Sequence, residues 1–187
     1  MHPAGATSSL KRDLGCSLSY TGAMPDEDTL NQQVGVLVRR EIEARIVKPF
    51  YAAVAEELGE AKAQEMFQEV VQALATESGR AMRDVVKEGD LLSFAAQWEP
   101  WVRGGALEID ELERTPQSWR FRVTRCRYAE LYRRLGMEEL GVKLSCARDA
   151  ALIEGFDERT KLRRTQTIME GASYCDFHYR REEGEQG

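Results

Sequence analysis

The spacing of apolar residues changes at Gly104 and Gly105, and the change limits the folds open to this chain. Before these glycines, apolar residues recur every three to four positions, which is typical of amphipathic helices. After them, short stretches alternate apolar and polar residues, which is typical of half-buried strands. Helices followed by a small sheet with short helices between its strands predict an α+β fold, and we expect the sheet to be mainly antiparallel.

The helical half is predicted to be a hairpin. Its first apolar stripe comprises Val34, Val38, Ile42, Ile46, Phe50, Val54 and Leu58, with Leu30 and Leu37 extending it. Pro49 lies inside this stripe, so we expect a kink or a break near Lys48. Gly59 separates the stripe from a second amphipathic stretch, which favours two antiparallel helices. We interpret both helices as core scaffold. Because the stripe offers more apolar surface than one short sheet covers, we also expect a homo-oligomer.

Composition and length indicate one globular domain. The 187 residues are 42% hydrophobic and 31% charged, which is an ordinary balance for a soluble protein. We assign residues 26–181 to a single α+β domain. Residues 1–25, rich in Ser, Gly, Ala and Thr, are predicted to be a mobile tail, and residues 182–187 a frayed one.

Charge and hydropathy narrow the classes of partner. The formal net charge is -6, with no basic patch of the kind a nucleic-acid-binding protein carries. No apolar run approaches the roughly 20 residues that span a membrane, and the N-terminus does not resemble a signal peptide. We therefore expect a cytoplasmic protein that acts on a small molecule. In that compartment its four cysteines are free thiols, ligands or catalysts rather than disulfides.

Three of the cysteines lie in the C-terminal half, and two of them have an aspartate within three residues. Cys126 ends a predicted strand, and Cys146 precedes Asp149 by three positions, which places both on one face of a helix. Cys175 and Asp176 are neighbours in the final predicted strand, from Ser173 to Tyr179, so they point to opposite faces.

Two orientations of that final strand are open. In one, Cys175 faces inward together with Phe177 and Tyr179. In the other, Asp176 and His178 face inward and form an acid–base pair. A β-bulge would bring both sets to one pocket. The strand before it is predicted to run from Lys161 to Met169.

The spacing gives no support to a metal or cofactor site. No C-x(2–4)-C pair is present, and the histidines are limited to His2 and His178. No glycine-rich phosphate loop lies between a strand and a helix. We therefore predict no cofactor, although three separate thiolates could still converge on a metal.

Arginines gather on or beside the predicted strands. The set comprises Arg120, Arg122, Arg125, Arg127, Arg163 and Arg164. We interpret most of them as a solvated sheet face, with one or two able to hold a small carboxylate by two parallel hydrogen bonds.

Three elements in the C-terminal half carry a family resemblance. They are the run Cys126-Arg127-Tyr128-Ala129-Glu130-Leu131-Tyr132, the run Leu144-Ser145-Cys146-Ala147-Arg148-Asp149, and the run Gly171-Ala172-Ser173-Tyr174-Cys175-Asp176-Phe177. Together, over about residues 118–180, they resemble the L-2-amino-thiazoline-4-carboxylic acid hydrolase family. The resemblance implies hydrolytic opening of a cyclic amidine, 2-aminothiazoline-4-carboxylate, to N-carbamoyl-cysteine.

Such a reaction needs a nucleophile, a proton donor and a carboxylate anchor. A thiolate of one of the three cysteines attacks the amidine carbon, with Asp149, Asp176 or His178 moving protons, or an aspartate activates water and the cysteines shape the pocket. We favour the thiolate, which attacks amidine carbons without a metal. The candidate substrate-binding residues are Arg127, Arg164 and Tyr128. The alternative function is a non-catalytic thiol-based module that binds a small ligand or a metal.

Overall fold

The computed structural model describes residues 33–182. The predicted tail 1–25, residue Leu30 of the apolar stripe and residues 183–187 lie outside that range. Glu182 lies inside it and donates its backbone N–H to Arg159 O at 2.8 Å. Within the described range the helices come first and an antiparallel sheet with short helices follows, which confirms the α+β prediction.

The helical half is a hairpin of α1 (Val36–Leu58) and α2 (Glu60–Asp84). Gly59 joins them with a φ of 86°, a value that L side chains rarely adopt. The predicted break near Lys48 is wrong, because α1 continues through Pro49. Proline leaves the carbonyl of the residue four positions earlier without its helical donor. Here that residue is the exposed Arg45, where solvent can supply the missing hydrogen bond.

The apolar stripe of α1 faces away from the core, contrary to the prediction. Val38, Ile42, Ile46 and Phe50 are 52%, 56%, 59% and 66% exposed. The buried residues of α1 lie on another face of the helix and are Val36, Ala44 and Tyr51. The small Ala44 lets the helix approach Ala129 and Tyr132 closely. Because α1 is apolar on both faces, periodicity alone could not tell which face packs against the core.

Two glycines bring α2 against α7 (Arg148–Phe156). A Cβ atom on Gly79 would lie 2.0 Å from Leu152 O, and one on Gly155 would lie 2.1 Å from Thr76 O. Neither position has room for a side chain, so the two backbones touch at the crossing. This contact fixes α7, whose first turn carries Asp149.

The remaining helices are short and connect the hairpin to the sheet. They are α3 (Leu91–Ala96), α4 (Glu99–Val102), α5 (Arg127–Arg134) and α6 (Glu138–Gly141), with a π-helical turn at Val142–Cys146 before α7. The side chain of Asp90 caps α3 by accepting from Ser93 N at 2.9 Å. A 3₁₀ turn at Arg103–Gly105 leads into the first strand.

The sheet contains β1 (Leu107–Arg114), β2 (Ser118–Cys126), β3 (Thr160–Arg163) and β4 (Cys175–Arg181) in the order β1-β2-β4-β3. Strand β3 is shorter than predicted, because Asp176 accepts the backbone N–H groups of Thr165 at 3.0 Å and Gln166 at 2.8 Å. The chain then forms a 3₁₀ turn at Ile168–Glu170 instead of continuing to Met169 as a strand.

An aromatic core lies between the sheet and the helices. Residues facing it alternate along both central strands, with Trp119, Phe121 and Val123 on β2 and Cys175, Phe177 and Tyr179 on β4. The register places Phe121 opposite Phe177, and their rings stack with centroids 4.7 Å apart. Phe94 and Trp98 cover these rings from the helical side.

Candidate functional site

A cavity of about 980 Å³ lies between the helical hairpin, α7 and the inner face of the sheet. It contains most of the predicted site residues, drawn from four separate stretches of the chain. These are Cys126, Tyr128, Cys146, Asp149, Arg164 and Cys175. Because a cavity of this size holds a small-molecule ligand, it is the candidate active site.

Cys126 is placed where β2 ends and α5 begins. It is the N-cap residue of α5, and its Sγ accepts the backbone N–H of Ala129 at 3.4 Å. Burial raises the pKa of this thiol to about 11, and nearby Cys175 and Asp149 add to the increase. The Cys126 thiol is therefore protonated at neutral pH.

The other two cysteines are protonated for the same reason. Cys146 ends the π-helical turn, and burial together with Asp149 raises its thiol pKa. Cys175 opens β4, and its Sγ accepts the backbone N–H of Ile168 at 3.2 Å. Burial also raises the pKa of Cys175. Catalytic thiolates usually have a lowered pKa, and none of these three has that signature.

Asp149 and Arg164 form an ion pair inside the cavity. Arg164 Nη1 donates to Asp149 Oδ2 at 2.6 Å, and Arg164 Nη2 donates to Cys146 O at 2.8 Å. The side chains are only 20% and 14% exposed, and the guanidinium lies over the Phe177 ring at 4.9 Å. Burial raises the pKa of Asp149, while Arg164 opposes the rise. A carboxyl in this position can give and take a proton.

Asp176 and His178 are not brought to the cavity. They lie on the opposite face of β4 from Cys175, and the β2–β4 register is continuous from Ser118 to Val123, without a bulge. Although burial opposes it, hydrogen bonds from Thr165 and Gln166 lower the pKa of Asp176. His178 Nε2 lies 3.3 Å from Ser118 Oγ. The strand thus adopts the first of the two predicted orientations, with Cys175 inward, and the predicted Asp176–His178 pair does not face the cysteines.

Two predicted substrate-binding residues differ in position. Arg127 does not line the cavity and donates to Gly104 O at 2.7 Å. Tyr128 does line it, and its hydroxyl donates to Trp101 O at 3.1 Å. Burial raises the pKa of Tyr128 well above its usual value, so the hydroxyl stays neutral.

A cationic cluster in the same cavity was missed by sequence analysis. Arg40 Nη1 donates to Glu43 Oε2, and Arg148 Nη2 lies 3.4 Å from that same oxygen. Arg148 Nε also donates to Leu144 O at 2.8 Å. Burial and then the like charge of Arg40 lower the pKa of Arg148 to about 10. Arg40 and Arg148 are more than a hundred positions apart, so no local motif could have linked them.

Neither a metal-binding cluster nor a membrane-spanning helix is found in the part of the chain that the structure describes. Between residues 33 and 182, no group of three or more His, Cys, Asp or Glu side chains is arranged to hold a metal ion. In the same part of the chain, no helix has both the length and the apolar character needed to cross a bilayer.

Two solved structures align with this chain at low sequence identity. One is the phenol-responsive sensory domain of the transcription activator PoxR with phenol, at 9% identity and a TM-score of 0.49, covering 73% of each chain. The other is a trafficking protein particle complex subunit 3 from Naegleria fowleri covalently bound to palmitic acid. It is 8% identical with a TM-score of 0.43, and covers 76% of this chain and 97% of its own. No curated protein matches the sequence significantly.

The family resemblance extends well beyond the three C-terminal elements. A sequence profile named for L-2-amino-thiazoline-4-carboxylic acid hydrolase matches residues 39–179, from the first turn of α1 into β4. The match covers most of the chain and includes every cavity residue discussed above. It confirms the resemblance, and the chain belongs to the L-2-amino-thiazoline-4-carboxylic acid hydrolase family.

Proposed function

We propose that this protein is a hydrolase that opens a small cyclic amidine of the 2-aminothiazoline-4-carboxylate type. The observation that carries the proposal is the Asp149–Arg164 pair, held beside three cysteines in one cavity of a chain from this family. The family name implies hydrolysis of a carbon–heteroatom bond outside peptides. Such a hydrolysis needs proton transfers, which a carboxyl can make.

The proposed reaction adds one water to the ring. Asp149 takes one proton of the water as the water oxygen bonds to the amidine carbon, C2 of the ring. The second water proton passes to the ring nitrogen, so that the oxygen becomes the carbonyl oxygen of the product. The bond from C2 to the ring sulfur then breaks, and the sulfur leaves as a thiol with the proton that Asp149 held. The product is an N-carbamoyl amino acid, heavier than the substrate by one water. A carboxyl whose pKa burial raises is suited to both proton transfers.

A covalent route competes with this one. In it a cysteine Sγ attacks C2 after passing its proton to Asp149, and the ring sulfur leaves with that proton. Water then releases the carbamoyl product and regenerates the thiol. The raised pKa values of the three thiols favour the water route over this one. In the water route the cysteines shape the cavity.

Mass spectrometry with 2-aminothiazoline-4-carboxylate tests the proposal directly. We expect a product heavier by one water, formed by the wild type and by a control Asp110→Asn variant on the exposed face of β1. Asp149→Asn keeps the size of the side chain and removes its proton transfer, so turnover should fall by about a hundredfold or more. Unchanged turnover in Asp149→Asn would exclude the proposed role of this carboxyl.

Serine variants separate the two routes. Cys126→Ser, Cys146→Ser and Cys175→Ser should each retain turnover if water is the nucleophile. Loss in one variant, together with a covalent adduct of the wild type trapped by acid quench, would identify the nucleophile and replace the water route.

The alternative is a non-catalytic module that captures a small ligand or a metal through its thiols. The cavity is roomy and holds three protonated thiols, with Cys175 buried and Cys126 and Cys146 half-buried. Capture without turnover is therefore the second candidate. Stoichiometric metal with thiols protected from titration, and no product from any cyclic amidine, would support this function over hydrolysis.

A further inference from the structure

The cavity is larger than the substrate for which the family is named. Its volume of about 980 Å³ lies at the upper end of the range, about 300–1,000 Å³, of sites that hold drug-sized ligands. A single five-membered ring with an amino group and a carboxylate fills only a small part of that space. The remaining volume leaves room for a larger ligand.

One wall of the cavity is apolar and aromatic. Trp98 and Trp101 stack with ring centroids 6.0 Å apart, and Phe177 lies edge-on to Trp98 with centroids 6.2 Å apart. Leu107 and Val123 extend this wall along the sheet. Solvent against such a surface would be unfavourable, because the wall offers it few hydrogen-bonding groups. The wall fits an apolar or aromatic group of a ligand.

The cavity also holds more positive than negative charge around Glu43. The side chains of Arg40 and Arg148 are only 12% and 16% exposed, and both contact the single carboxylate of Glu43, which is 44% exposed. Two largely buried guanidinium groups thus share one half-exposed carboxylate. A second carboxylate from a ligand would balance the pair and could accept from Arg148 and Arg40 together.

We infer that this cavity binds a carboxylate with a large apolar or aromatic body, holding the carboxylate on Arg40 and Arg148 and the body against Trp98, Trp101 and Phe177. The inference rests on the proposed hydrolase function for the identity of the reacting group, because it makes the substrate a larger relative of the thiazoline carboxylate. It moves the carboxylate anchor away from Arg127, which lies outside the cavity. Arg164 is also replaced as the anchor, because it is already paired with Asp149.

Calorimetry with simple probes tests the ligand class independently of turnover. The probes are 3-phenylpropanoate and 4-phenylbutanoate, and the comparison ligands are the corresponding amides, which keep the shape and lose the charge. We expect each carboxylate to bind at least about tenfold more tightly than its amide, since a charge-assisted pair is lost in the amide. Equal affinity of acid and amide overturns the inference.

Variants test whether Arg40 and Arg148 cause the preference for the carboxylate over the amide. Arg148→Met should reduce the difference between acid and amide to about twofold or less, while binding of the amide stays. Arg45→Met, an exposed arginine of α1 that pairs with Glu41, is the matched control and should keep the full difference. If Arg148→Met does not fold, Arg40→Gln gives a second reading of the same cluster. Selectivity that survives in every folded variant overturns the inference.

The same samples distinguish this inference from the proposed function. If 2-aminothiazoline-4-carboxylate is hydrolysed while the aryl carboxylates neither bind nor compete with it, the inference fails and the hydrolase remains. If the aryl carboxylates bind in a charge-selective way and no cyclic amidine is opened, the hydrolase proposal fails and the ligand class stands.

Discussion

Replacing Arg164 isolates what the ion pair contributes to the folded cavity. Arg164→Met keeps the apolar part of the side chain and removes the charge that Asp149 contacts at 2.6 Å. It also removes the hydrogen bond to Cys146 O and the contact of the guanidinium with the Phe177 ring. The carboxyl of Asp149 is then left in the cavity without its partner.

The expected loss of stability follows from these contacts. Breaking a fully buried ion pair destabilises a protein by about 3–5 kcal/mol. The side chains here are 14% and 20% exposed, so partial solvation lowers the contribution to about 2–3 kcal/mol. The ring contact adds about 0.5–1 kcal/mol. We expect Arg164→Met to lower the free energy of unfolding by about 3 kcal/mol at pH 7. The double variant Arg164→Met/Asp149→Asn should recover about 1–2 kcal/mol of it, because no unpaired charge remains.

The pH dependence provides the sharper assay. Burial already raises the pKa of Asp149 in the folded protein, and losing Arg164 removes the main opposing effect. A carboxyl whose folded pKa exceeds its unfolded value stabilises the fold below the unfolded pKa. That stability is lost as the pH rises toward the folded pKa. In urea unfolding, Arg164→Met should therefore be less stable than the double variant. This difference in the free energy of unfolding should grow above about pH 4, by at most about 1.4 kcal/mol per pH unit.

Two results would refute this reasoning. The first is a difference in the free energy of unfolding between Arg164→Met and the double variant that does not change between pH 4 and pH 7. The second is a double variant no more stable than Arg164→Met at pH 7. Arg163→Met, an exposed neighbour in β3, is the control and should change the free energy of unfolding by less than about 0.5 kcal/mol.

Three further predictions concern the helices and the thiols. Gly155→Ala places a Cβ 2.1 Å from Thr76 O, so we expect a loss of about 1–3 kcal/mol in urea unfolding, against little change for the exposed neighbour Glu154→Ala. Because the stripe of α1 is exposed, we expect a second copy of the chain to cover it. Light scattering should then give a dimer that Ile46→Glu converts to a monomer, and a monomeric wild type would contradict this. In a Cys16→Ser background, labelling with a disulfide reagent should be slow at pH 7 and rise with pH toward the pKa of Cys126, about 11; fast labelling at pH 7 would show a thiolate already present.

The order of elements was open to prediction because it depends on local patterns. The change in apolar spacing at Gly104 and Gly105 gave helices first and strands after, and Gly59 marked the hairpin. The strand predicted to end at Met169 was too long, because Asp176, ten positions after Gln166, accepts the backbone N–H groups of Thr165 and Gln166. A side chain that reaches a neighbouring segment leaves no trace in the periodicity of that segment.

The site was predictable only in part, for a related reason. Residue types and spacing pointed to the three cysteines, Asp149 and Arg164, and all of these line one cavity. The orientation of β4 stayed open in the sequence, because alternation shows that Cys175 and Asp176 face opposite ways but not which of them faces the core. The aromatic residues of β2 settle it by packing against Phe177 and Tyr179.

The sequence by itself determined the fold class, the family and the chemistry of the candidate residues, because helix and strand periodicity and a few short motifs are local properties. Only the tertiary structure decided which face of α1 is buried, which face of β4 meets the cavity, and that Arg40 joins Arg148 on Glu43. These outcomes depend on contacts between residues far apart in the chain. Small residues such as Ala44 and Gly79 decide how closely the helices approach, and such residues give no clear periodic signal in the sequence.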